Sequence, residues 1–212
     1  MGTIKKGILG GFSGKVGTVV GGSWKGISYM RSLPQSVKNP RTVGQVSQRS
    51  KFALTLNLLK PMTAFLRTGW KFYAHRQSPF NAATSYTLAN AITGAYPDYS
   101  IDASKVLVSR GSLTPATNAR VIPTQGFINL SWDDNSGTGS AKPTDKALVA
   151  VLNPVKGESI TNDAGADRMT GTQAVPVPAD WLGDSVEIYL GFVSEDGKEV
   201  SNSIHLGTLN MA

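Results

Sequence analysis

Nine of the first twenty-six residues are glycine: Gly2, Gly7, Gly10, Gly11, Gly14, Gly17, Gly21, Gly22 and Gly26. No free-standing helix survives that density, because each glycine costs about 1 kcal/mol against alanine in a helix interior. After Lys15 the pattern is that of strands. Val16, Thr18 and Val20 alternate with Gly17 and Val19, Gly21-Gly22 offers the positive φ of a tight hairpin, and Trp24, Ile27 and Tyr29 fall in the returning strand. The expectation for residues 1–38 is a basic glycine-rich arm followed by a β-hairpin. Two strands alone are marginal in water, so Val20, Trp24 and Tyr29 need a surface from elsewhere in the chain or from another subunit.

Charge divides the chain in the same place. Residues 1–100 carry thirteen Lys/Arg against a single acid, Asp98, and the remainder carries eight against thirteen, which gives about +12 and −5 and the overall +7. Such a split points to a basic, polyanion-facing or partner-facing front joined to an acidic globular module. Cysteine is absent, so packing and hydrogen bonds hold the fold without disulfides or thiolate metal sites. No apolar run reaches the roughly 18 to 20 residues of a membrane-spanning helix, and glycines occupy Met1 to Lys15 where a signal peptide would be apolar. The expectation is cytoplasmic synthesis and no membrane partner, with release in a particle equally compatible.

Residues 39–96 read as a basic helical segment. Asn39-Pro40-Arg41-Thr42 closes the hairpin region, and Thr42 with Gln45 forms a capping-box signature. Val43, Val46, Ser50, Ala53, Leu54 and Leu58 then recur at helical spacing until Pro61. A second helix follows from Thr63, with Phe65, Leu66, Trp70 and Tyr73. A third begins at Ser78-Pro79 and is expected to close at Gly94. Arg41, Arg49, Lys51, Lys60, Arg67, Lys71 and Arg76 lie among the aromatics. They are either a nucleic-acid surface, cations for phosphates and rings for bases, or a solvated basic face over a core containing Phe65, Trp70 and Tyr73.

Residues 104–210 change to short strands separated by turns, an all-β signature. The expected strands are Lys105 to Val108, Gly126 to Trp132, Lys146 to Leu152, Gln173 to Val177, Ser185 to Ser194 and Glu199 to Leu206, with a hairpin turn at Asp196-Gly197. Val186, Ile188, Leu190 and Phe192 alternate with Glu187, Tyr189 and Gly191, which buries one face. Ile128-Asn129-Leu130-Ser131-Trp132 and Ser185 through Ser203 resemble the early strand and the final hairpin of a fibronectin type III or immunoglobulin-like domain. That resemblance implies a binding or spacer module. The chain is thus expected to be α+β in several parts: glycine-rich arm and hairpin, short helical segment, immunoglobulin-like sandwich.

Reactive constellations fail on spacing. A phosphate loop ending at Gly14-Lys15 would need Gly where Leu9 stands and a hydroxyl where Val16 stands, and no dinucleotide fingerprint occurs in the opening block. His75 and His205 lie far apart without metal-ligand spacing, and no nucleophile elbow is present. Asp133-Asp134, Asp163 with Asp167, and Asp180 with Asp184 sit in turns, where acids make Asx turns more often than catalysis or a Ca²⁺ site. No catalytic, cofactor-binding or metal-binding residue is assigned.

The opening Met1-Gly2-Thr3-Ile4-Lys5-Lys6-Gly7-Ile8-Leu9-Gly10-Gly11-Phe12-Ser13-Gly14-Lys15-Val16-Gly17, with Trp24-Lys25-Gly26, Asn39-Pro40-Arg41-Thr42, Gln45, Arg49 and Phe52, resembles an uncharacterised family found in Bacteroidota and in phage-like gene neighbourhoods. The resemblance implies a particle component and transfers no catalytic residues. The expectation is a non-enzymatic structural protein that self-assembles or decorates a larger particle, with Lys5, Lys6, Phe12, Lys15, Val20, Trp24, Lys25, Tyr29 and Arg31 at the interface. Its partners would be further copies or other particle subunits. The alternative is nucleic-acid binding through Arg41, Arg49, Lys51, Lys60, Arg67, Lys71 and Arg76. A carbohydrate-binding or hydrolytic module using Trp132 and Trp181 is the third reading.

Overall fold

Glycine in the N-terminal stretch serves strands as well as turns. In the computed structural model, which describes all residues except 5, 6, 8, 9, 25, 37, 38, 75, 76, 125 and 212, four strands form an antiparallel sheet in chain order: β1 (Thr3–Ile4), β2 (Phe12–Val16), β3 (Val19–Trp24) and β4 (Ile27–Ser32). The expected extended arm is corrected, since its described residues supply β1 and β2. The expected turn is corrected too. Gly21 and Gly22 lie inside β3, and the chain reverses at Gly17 (φ +56°) and Gly26 (φ +86°), backbone conformations that favour glycine. Gly21 and Gly22 instead supply room. A Cβ on Gly21 would collide with the Phe12 carbonyl and ring, and one on Gly22 would lie 3.1 Å from Tyr29 Oη. The two rings cover bare backbone on opposite sides of the sheet.

The chain divides into two compact units, Met1–Thr42 and Val43–Ala212. The second begins with three helices, α1 (Val43–Leu59), α2 (Thr63–Gly69) and α3 (Pro79–Asn90), the first two joined by a 3-10 turn through Pro61. Ser78 Oγ accepts the Asn81 N–H at 3.2 Å and Pro79 occupies the first turn, a cap that fixes where α3 starts. Gly94 does not close α3, which ends at Asn90. With φ +84° it belongs to a hairpin that sequence reasoning missed, β5 (Ile92–Ala95) paired with β6 (Asp98–Ile101).

Seven further strands build a sandwich: β7 (Thr117–Thr124), β8 (Phe127–Asp133), β9 (Lys146–Asn153), β10 (Glu158–Asn162), β11 (Thr172–Pro176), β12 (Ser185–Val193) and β13 (Ile204–Asn210). They form two antiparallel sheets, β11-β8-β7 and β10-β9-β12-β13. Strands near 126–132, 146–152, 173–177 and 185–194 were legible. Lys105 to Val108 is not a strand. Asp102 accepts the Ser104 N–H at 3.1 Å and pairs with Lys105 at 3.0 Å, which winds Ala103–Lys105 into a 3-10 turn, and the Val108 N–H then donates to Ser203 Oγ at 2.9 Å. The last strand begins at Ile204 and not at Glu199.

Each face of the four-stranded sheet has its own core. Ala147, Val149 and Val151 of β9, with Val186, Ile188, Leu190 and Phe192 of β12, pack against Ile128, Leu130 and Trp132 of the opposite sheet. Leu148, Ala150, Leu152 and Tyr189 point the other way, into a core with Leu59, Met62, Phe65, Leu66, Trp70 and Ala83 from the helices. The helical segment therefore roofs the sandwich, giving three layers: helices, four strands, three strands. Trp70 Nε1 donates to the Leu107 carbonyl at 3.2 Å and Tyr189 Oη to the Ala103 carbonyl at 3.1 Å, so both buried polar tips are satisfied.

Candidate functional site

Side-chain alternation turns the register of the N-terminal sheet into two unlike faces. Lys15 pairs with Val20 and Val20 with Arg31, Gly22 with Tyr29, and Trp24 with Ile27. These residues share one face. Five of the predicted interface residues, Lys15, Val20, Trp24, Tyr29 and Arg31, are thereby brought together. The other face carries Ile4 with Phe12, Val16 with Val19, and Met30 with Gly21, which places Phe12 apart from the other five. Apart from glycine, Ser23, Ser28 and Ser32 are its only polar members among the described residues, and none of its described residues is charged. Lys5, Lys6 and Lys25 lie outside the described residues.

Both faces are open. Ile27 (67% exposed), Trp24 (64%) and Tyr29 (46%) stand out on the basic face, and Met30 (71%), Val16 (54%) and Ile4 (52%) on the apolar one. Among the described residues of 1–42 only Gly21 is buried, and every residue of β4 is exposed. The described residues of this unit therefore form no hydrophobic core of their own. Its seven lysines and arginines, Lys5, Lys6, Lys15, Lys25, Arg31, Lys38 and Arg41, meet no acid in the same 42 residues.

The helical cations form no comparable surface. Arg49 and Lys51, two residues apart on α1, cannot face the same way. Lys51 Nζ sits 4.7 Å from the Tyr99 ring centroid and Lys71 Nζ 5.4 Å from that of Phe72. Lys60, Arg67 and Arg41 are exposed, while Arg76 and His75 lie outside the described residues. The rings expected to interleave with these cations are largely consumed by packing. Phe65 and Trp70 are buried, and Tyr73 lies under the Arg110 guanidinium at 4.6 Å.

The acids are structural partners. Asp133 accepts from Asn118 at 2.6 Å, Asp134 from the Ser136 N–H at 3.0 Å, and Asp163 from Thr68 at 3.2 Å. Asp167 pairs with Lys146 at 2.5 Å, Asp180 with Lys156 at 2.7 Å, and Asp184 accepts from Asn153 at 2.8 Å. His205 Nε2 meets Glu187 Oε2 at 2.6 Å, and Thr208 donates to both Glu187 oxygens. His205, then Thr208, holds the Glu187 carboxyl below its ordinary value against the opposing effect of burial. Glu187 lines a cleft of about 790 Å³ with Leu54, Leu58, Pro61, Ile101 and Val155, but both its oxygens are already engaged. Among the described residues no three His, Asp or Glu side chains are gathered as a metal site. No helix of the described residues is long and apolar enough to cross a membrane.

Sequence reasoning missed one buried constellation. Arg168 pairs through Nε with Asp145 at 3.1 Å, both side chains fully buried, donates to Asn135 Oδ1 at 2.6 Å and the Thr114 carbonyl at 2.8 Å, and stacks 3.8 Å from the Phe192 ring centroid. Burial lowers the guanidinium pKa and Asp145 opposes that shift. Every contact is internal, so this is a bolt within the sandwich.

Among known proteins, a family model described as "Family of unknown function (DUF6266)" matches residues 11–207. No curated protein matches. A solution structure of the fn3 domain of human collagen alpha-1(XX) chain is similar over 48% of this chain and 87% of that one, at 10% identity and a TM-score of 0.34.

Proposed function

We propose that this chain, which belongs to the Family of unknown function (DUF6266), is a non-enzymatic structural protein that self-assembles through the uncharged face of its N-terminal sheet. The observation that carries this is the exposed apolar face of a unit that buries nothing but Gly21 among its described residues. A second copy of the same face is the occupant that matches it, apolar against apolar, in an isologous pair.

Magnitudes favour a reversible pair. Covering side chains that are half to three-quarters exposed, such as Ile4, Val16 and Met30, gains roughly 1–2 kcal/mol each. Six across two copies are comparable with the roughly 4–15 kcal/mol cost of association. Packed sheets lie about 10 Å apart. The cations of the two outer faces are then separated by more than the Debye length of about 10 Å at 0.1 M salt, so like charge does not prevent pairing. The resemblance to a family with phage-like gene neighbours supports a particle as the larger assembly.

Light scattering of the full chain across concentration tests the reading. The apparent mass should rise with concentration, and Met30→Asp or Val16→Asp should hold it at the monomer. A wild-type chain that stays monomeric to its solubility limit, or an aspartate variant that assembles as before, overturns it.

A further inference from the structure

The opposite face of the same sheet has a different chemistry and a different occupant. We infer that Lys15, Trp24, Tyr29 and Arg31 form a platform for single-stranded nucleic acid, a function beyond the assembly reading and independent of it. The geometry has three parts. Tyr29 reaches over Gly22, whose absent Cβ would stand 3.1–3.5 Å from the hydroxyl end of the phenol, so the tip of the ring rests on bare backbone while the residue stays 46% exposed. Trp24 is on the adjacent strand and on the same face, two residue pairs further along the β3–β4 ladder. Diagonal neighbours of this kind stand about 7–8 Å apart. Lys15, Val20 and Arg31 form the next row of the sheet, which places two cations on one side of the aromatic pair.

A four-stranded sheet that offers exposed rings beside a pair of cations suits bases splayed out of a helix, because every base has a π-face and phosphates follow the positive charge. The unit's seven cations and total lack of acids select a polyanion. The exposed rings select one with stackable groups over a carboxylate-rich protein or an anionic lipid surface. A duplex keeps its bases stacked internally and would use only the cations.

The test uses the full chain, below the concentration at which scattering detects self-association, so that its outcome is separate from that of the assembly reading. A fluorescein-labelled oligo-dT is titrated by anisotropy in rising salt, with tryptophan emission followed in parallel. Trp70, Trp132 and Trp181 are buried and Trp24 is exposed, so quenching by stacked bases reports Trp24 and should vanish in Trp24→Phe. Tyr29→Ala should weaken binding roughly five- to 150-fold. Tyr29→Leu, which keeps an apolar cover over Gly22, should weaken it comparably, which separates lost stacking from a damaged sheet. Lys15→Gln and Arg31→Gln should each reduce the salt slope by about 0.7, whereas Lys60→Ala and Arg67→Ala on the helical segment should change affinity less than twofold. Absence of binding at low salt overturns the inference. So does a Tyr29→Leu variant that binds like wild type, a duplex or poly-glutamate that binds as tightly as oligo-dT, or a larger loss from the helical substitutions than from those on the sheet.

Discussion

Removing the Asp145 carboxylate should cost the sandwich more than any surface change, because it strands a guanidinium that has no route to water. Both side chains are fully buried, and the Nε–Oδ2 contact is 3.1 Å. Breaking a buried ion pair by deleting one partner typically costs about 3–5 kcal/mol. Here the cation keeps Asn135 Oδ1, the Thr114 carbonyl and the Phe192 ring, so Asp145→Ala belongs at the lower end, about 3 kcal/mol. In a chain of this size that lowers the melting temperature by roughly 6–12 °C. Arg168→Met strands the opposite charge, a carboxylate left with the Lys142 N–H at 2.9 Å, and should cost at least as much. The double variant Asp145→Leu/Arg168→Met removes both charges and should recover most of the loss, since apolar replacement of a whole buried pair is often neutral. Urea unfolding followed by tryptophan emission reads all three, and Trp132 is a local reporter because its indole N–H donates to the Arg168 carbonyl at 2.8 Å. The reasoning is refuted if Asp145→Ala lies within about 1 kcal/mol of wild type, or if the double variant is as unstable as the two single losses combined.

Two further outcomes follow from side-chain geometry. Glu187 has a carboxyl pKa lowered chiefly by His205, so its contribution is complete above the unfolded value near 4.3 and is lost as pH falls through the lower folded value. Wild-type melting temperature should therefore drop on the acid side of that window while Glu187→Gln follows a flatter curve, and parallel curves would refute the assignment. Gly21→Ala forces a methyl into Phe12, so limited proteolysis should cut residues 1–42 faster than in wild type. An unchanged cleavage rate would show that the ring does not need the bare backbone.

Legibility in the second unit followed how each strand is buried. The alternation in β12 correctly marked Val186, Ile188, Leu190 and Phe192 as inward-facing, but it says nothing of what covers the reverse side. The signal for that cover was in β9, where Ala147 to Leu152 is apolar without interruption, the pattern of a strand buried on both faces. Gly191 carries the same message. A Cβ there would lie 2.6 Å from Ser109 Oγ, because the segment after the helices runs against the sheet. β7 and β10, both edge strands, escaped through their own residues. β7 contains Pro123, which demotes a strand reading, and β10 is short and polar. The Asp145–Arg168 bolt joins residues 23 positions apart in sequence, a pairing that no local pattern encodes.

The candidate surface was legible in composition and illegible in arrangement, and the whole difference lies in one turn. Basic and aromatic residues in a glycine-rich stretch pointed to Lys15, Val20, Trp24, Tyr29 and Arg31 without register. A turn at Gly21-Gly22 would put Trp24 and Tyr29 in a single strand five residues apart, and an odd separation sends two side chains to opposite faces. The actual reversal at Gly26 places them on different strands, with Trp24 opposite Ile27 and Gly22 opposite Tyr29, and so on the same face. That shift segregates the cations and exposed rings from Ile4, Val16 and Met30, and makes one small sheet two-sided. A sheet with one uncharged face can pair with its copy, and the same sheet with one basic, ring-bearing face can hold a polyanion. Because the two properties sit on opposite sides, Met30→Asp and Tyr29→Leu should separate them, the first preventing assembly and the second weakening binding, each without the other.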